Sequence, residues 1–178
     1  MTAKQVLLRG GALALLAIPT IPFTLPAQAE PRTQAPTRVK RSGPRFGVTW
    51  LSGSIVDTLR SKHDIDVSPI ITQFGWQYER QFLGSEGGPT AVSEWILLVG
   101  GLEQGAFLPS LSWIVGLRTP GNIEFGVGPN ATPVGFALVI TSGVTFKAGA
   151  LNIPVNVAVV PSRIGARVSL LTGFNTHR

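Results

Sequence analysis

The sequence predicts an all-β fold, an up-and-down antiparallel β-barrel of about eight strands with a short helix or irregular segment after the first strand. Three observations predict it. The first is a long two-residue alternation from Val134 to Phe146. Phe136, Leu138, Ile140, Val144 and Phe146 share one face with Ser142, and Gly135, Ala137, Val139, Thr141, Gly143 and Thr145 share the other. Successive side chains of a strand point to opposite sides, so this is a strand with two different surroundings. The second is recurrence of that pattern between short turns rich in Gly, Pro and Asn. The third is composition: charged residues make up only 13% of the chain, there are 21 glycines, and no stretch beyond the first 29 residues is long and apolar enough for a helical span.

The elements follow in order. Residues 1–29 read as a cleaved secretory signal peptide. Lys4 and Arg9 form the basic start, residues 12–25 are mostly apolar, and Ala27-Gln28-Ala29 is a small-x-small cleavage site. Pro19, Pro22 and Pro26 argue against a transmembrane helix there. Residues 30–45 read as a disordered, basic, Pro-rich linker containing Arg32, Arg38, Lys40, Arg41 and Arg45. Such a tail suits contact with anionic lipid, lipopolysaccharide or peptidoglycan, or service as a solvated spacer. Residues 46–178 form the barrel domain.

Phe46, Val48 and Trp50 share a face of a first strand ending at Leu51. Residues 52–66 break the pattern; Ile55, Val56 and Leu59 have helical spacing, with Ser52 or Ser54 as cap. Residues 67–82 alternate again, Ile70, Phe74, Trp76 and Tyr78 against Gln73, Gly75, Gln77 and Glu79. Residues 90–102 and 106–118 form a hairpin around Glu103-Gln104-Gly105. The run from Trp95 to Val99 alternates poorly, as if buried on both sides. After the Pro120-Gly121-Asn122 turn comes a short strand from Ile123, with a further turn predicted at Gly128-Pro129-Asn130. The long strand to Lys147, one from Leu151 through Pro154, and one from Ala166 to Phe174 complete the set. Pro154 weakens its strand, because proline fits a ladder only at edges and breaks.

Alternation alone does not say which face points inward. Here the polar face is built of small residues with isolated charges, Glu79, Arg118, Glu124, Lys147 and Arg167, rather than the freely distributed Lys and Glu of a water-facing strand. A narrow lumen would hold these as a paired charge network. The apolar face then meets lipid, with Trp50, Trp76, Tyr78, Trp95 and Trp113 as candidates for an interfacial aromatic girdle. On these features residues 46–174 resemble the small bacterial outer-membrane β-barrels as a class. The resemblance implies location in the outer membrane, with the bilayer and the outer-membrane assembly machinery as partners. The last strand of that class often ends in an aromatic residue read by the machinery; here Phe174 is followed by four more residues.

The chemistry-bearing residues are few. The chain has no cysteine and two histidines, His63 and His177. Ser61, His63, Asp64 and Asp66 crowd the irregular segment, but neighbours along a chain seldom point at one another as a triad requires. No dinucleotide, phosphate-loop or calcium-loop pattern is present, so no catalytic residue, cofactor or metal site is assigned. The basic surplus of +6 lacks the aromatic interleaving of a nucleic-acid surface. The sequence therefore predicts a non-enzymatic outer-membrane barrel of structural, adhesive or small-channel type. The alternatives are a soluble periplasmic, lipocalin-like barrel around an apolar ligand, and a lipid-modifying barrel enzyme using His63.

Overall fold

The computed structural model describes residues 41–84 and 87–176. The predicted signal peptide and residues 30–40 of the predicted linker lie outside this range, as does His177. The elements are β1 (Gly43–Leu51), α1 (Gly53–His63), β2 (Ile70–Gly84), β3 (Thr90–Gly100), a single 3-10 turn at Leu102–Gln104, β4 (Leu108–Arg118), β5 (Ile123–Thr132), β6 (Gly135–Ala148), β7 (Leu151–Ser162), β8 (Gly165–Gly173) and β9 (Asn175–Thr176). Each strand pairs antiparallel with the next, and β8 returns to β1, closing the sheet. The two residues of β9 continue the line of β8 on β7, so the molecule is an eight-staved, up-and-down barrel. Closure removes the free edges of the sheet except at the helix-end tips of β6 and β7, so most backbone groups of the wall find partners within it.

One end carries α1 and the β3–β4, β5–β6 and β7–β8 connections; this is the helix end. The start of β1 and the finish of β8 and β9 share the opposite, terminal end. At the helix end α1 lies over the barrel mouth. Its Ile55, Val56 and Leu59 pack with Leu51, Val67, Ile71, Ala106 and Leu108 into an apolar cluster. The helical spacing predicts this face. The predicted side-chain cap does not form: the Ser52 hydroxyl instead accepts the Ala166 backbone N–H at 3.1 Å, tying the helix to β8.

Three local expectations are corrected. Gly43–Arg45 belong to β1, three residues inside the segment predicted as linker, because extending the alternation back from Phe46 gives Arg45 an inward position. β3 is not buried on both sides: Trp95 and Leu97 face out while Ile96 and Leu98 face in. β5 does not turn at Gly128-Pro129-Asn130 but runs on to Thr132. Pro129 is paired to Leu138 on β6, and the ladder to β4 merely skips two positions there. Gly128 makes this possible, since a Cβ there would sit 1.8 Å from the Trp113 carbonyl oxygen. Pro154 likewise stays within β7, at the gap between β8 and β9 where no ladder donor is required.

Candidate functional site: the wall and lumen of the barrel

The site is the barrel itself, read from its two faces. Every strand from β1 to β8 presents a row of apolar side chains outward. Phe46, Phe74, Leu97, Val115, Phe125, Ile140, Val157 and Leu170 sample the eight staves in turn, and all are exposed. Arg80 alone among the charged residues of the described strands stands on the outward face, in the part of β2 that continues beyond its pairing with β1. On β6 the apolar band runs from Phe136 to Phe146. At about 3.3 Å per residue and a tilt near 40°, such a run spans roughly 25 Å, the height of a lipid-facing belt.

The predicted aromatic residues all lie on this outer face. They do not divide into two rings. Trp76, Tyr78, Trp95 and Trp113 form one patch across β2, β3 and β4, and Trp50 stands apart near the helix end of β1. Tyr78, Trp95 and Trp113 are successive cross-strand partners, and the two tryptophans stack with ring centroids 5.8 Å apart. The Trp113 indole N–H donates to Ser93 Oγ at 3.0 Å, which satisfies its polar edge on an otherwise apolar wall.

Charge is concentrated inside. Arg118 Nη1 and Nη2 donate to the two oxygens of Glu79 at 2.6 Å each, and Arg118 Nε donates to Glu124. Thr145 adds a hydroxyl to Glu124 at 3.3 Å. The planar guanidinium thus bridges three strands, β2, β4 and β5, with its fork matched to one carboxylate. Of the five predicted lumen charges the structure brings together these three. Arg167 faces inward but binds a different partner, Asn130 Oδ1, at 2.7 Å; Asn130 in turn donates to Ser110 and Ser112. Lys147 lies outside the network, exposed at the terminal end of β6.

The lumen holds charges that sequence reasoning missed. Arg45 donates to Gln77 Oε1 at 2.8 Å, and both side chains are fully buried. Glu94 and Arg41 are buried as well, so three glutamates face three arginines towards the terminal end. Midway, Ile96, Leu98, Ile114, Val139, Val160 and Leu171 form an apolar cluster inside the barrel, again unforeseen. The remaining central cavity is about 50 Å³, enough for a few water molecules but not an open pore.

The polar residues of the irregular segment do not converge. Ser61 Oγ donates to the Asp57 carbonyl oxygen, and Asp66 is engaged by Arg60. No group of His, Asp or Glu among the described residues has the arrangement of a metal site. At the same end Glu103 clasps the start of β2, accepting the Thr72 backbone N–H at 2.8 Å and the Thr72 hydroxyl at 2.6 Å. Comparison with protein-family models, curated proteins and solved structures finds no match to the chain.

Proposed function

We propose that the protein is an integral outer-membrane β-barrel, closed to bulk solutes and without catalytic activity, whose role is structural or adhesive. The observation that carries this reading is the division of the two faces: an apolar belt around all eight staves, with Arg45, Glu79, Glu94, Arg118 and Glu124 turned inward. A water-soluble barrel gains nothing from that arrangement, because it exposes what burial would stabilise and buries what water would solvate. In a bilayer each choice is reversed. The lumen is filled by side chains and its mouth covered by α1, which favours a structural or adhesive role over conduction. A partner would then meet the loops at either end or the basic segment before β1. The lipocalin-like alternative is disfavoured by the interior, since a pocket for an apolar ligand usually needs about 300 Å³ or more.

Expression of the full chain in a Gram-negative host tests the proposal. Recovery in the outer-membrane fraction, with a gel mobility that changes on boiling, is the expected result. A processed protein found free in the periplasm would contradict it.

A further inference from the structure

The wall is not sealed over its full height. β6 and β7 pair from Ala148↔Leu151 to Ile140↔Val159 and stop there. Towards the helix end, Gly135–Val139 remain paired to β5, and Val160–Ser162 remain paired to β8, but the two tips do not pair with each other. Pro161 stands just beyond the last pair and has no N–H to extend the ladder. Between the tips lies a groove of about 530 Å³ lined by Val134, Phe136, Ala137, Pro161, Arg163 and Ile164 among others. Phe136 belongs to the outward face and Ala137 to the inward one, and both line the groove. At its inner side Val134 and Ile164 also pack on the apolar cluster beneath α1. At its mouth Phe136 is 87% exposed, the most open of the large apolar side chains among the described residues.

We propose that this seam accommodates one acyl chain of an anionic phospholipid from the surrounding bilayer, with the headgroup on Arg163. The inference rests on the membrane reading, which places acyl chains at the open side of the groove. The lining explains the apolar half of the ligand. The charge explains the other half: neither hairpin tip, residues 132–138 or 159–166, contains an acidic residue to neutralise Arg163. A guanidinium offers a phosphodiester a charge-assisted, paired set of donors.

The test uses the full chain reconstituted in phosphatidylcholine vesicles doped with phosphatidylglycerol carrying a photoactivatable acyl chain. Adducts are mapped by mass spectrometry. The expected result is labelling concentrated on residues 134–139 and 160–164. Arg163→Gln should lower it by roughly tenfold, the scale of one charge-assisted hydrogen bond. The same probe on a phosphatidylcholine headgroup should label the seam weakly and be indifferent to that substitution. Ala137→Trp, which fills the groove, should abolish seam labelling; a retained boiling-dependent mobility shift confirms that each variant is folded. If Ala137→Trp does not fold, the surface substitution Arg163→Gln decides alone. Labelling spread around the belt in proportion to exposure, unchanged by the substitutions, would overturn the seam site and leave the membrane reading intact. No adducts anywhere on the outward face would overturn both.

Discussion

Arg118 is the residue on which the interior most depends. Its guanidinium satisfies Glu79 and Glu124 together, and all three side chains are buried. Removing one member of a buried ion pair leaves uncompensated charge and costs about 3–5 kcal/mol. Arg118→Leu should therefore lower the free energy of unfolding from lipid vesicles, read from a urea titration, by that order, and an unchanged free energy would show that the network is dispensable. Glu103 offers a pH test outside the wall. The Thr72 hydroxyl, then its backbone N–H, hold the Glu103 carboxyl down at about 2 from an ordinary 4.5. A depressed pKa means that the clasp contributes in full above the ordinary value, weakens below it and is lost as pH falls through about 2. An NMR titration should find the Glu103 midpoint near 2, and Thr72→Val should return it towards the ordinary value; a wild-type midpoint already there would rule out the clasp. Glu79, Arg118 and Glu124 could be recognised in the sequence, together with Lys147 and Arg167, because each is an isolated charge on a face of otherwise uncharged residues. Arg45 was concealed by the Pro- and Arg-rich residues before it, although its parity with Thr49 marks it as inward. The separation of Arg167 from the carboxylates depends on strand register, which no local pattern reports.

At the scale of elements, alternation identified the strands wherever the two faces differ in size or polarity. In β3 the strand was recognised but its faces were not, because Ile96 and Leu98 point into an apolar zone of the lumen and Trp95 and Leu97 point outward. Both faces are then apolar, and the two-residue signal vanishes although the strand is ordinary. The reading failed at Gly128-Pro129, where residues that usually turn a chain permit a close interstrand approach instead. The α1 face was recognisable because its 3.6-residue period survives in Ile55, Val56 and Leu59. β6 provides the sharpest element-scale test, since Leu138 faces out and Thr141 faces in. Leu138→Arg should cost about 2–4 kcal/mol in a bilayer and sharply reduce assembly, whereas Thr141→Ser should assemble nearly as wild type. Equal yields of the two variants would mean that the outward face does not meet lipid.

For the whole molecule, closure and inversion act together. Pairing β8 to β1 closes the sheet apart from the tips of β6 and β7, and turning the charges inward leaves an outer surface that is apolar apart from isolated hydroxyls such as Ser142, with Arg80 beyond the β1–β2 pairing. The closed topology followed from the number of strands and their short turns. The seam between β6 and β7 did not, because where a ladder stops is a property of two distant segments. All four tryptophans of the chain, Trp50, Trp76, Trp95 and Trp113, stand on the outer face, which makes them native reporters of what that face touches. The most direct measurement is therefore their fluorescence in vesicles whose lipids carry bromine on the acyl chains. Strong quenching by the bromolipids, with little quenching by aqueous iodide, is the result expected of a lipid-embedded belt. Emission quenched by iodide and unaffected by bromine would contradict the account.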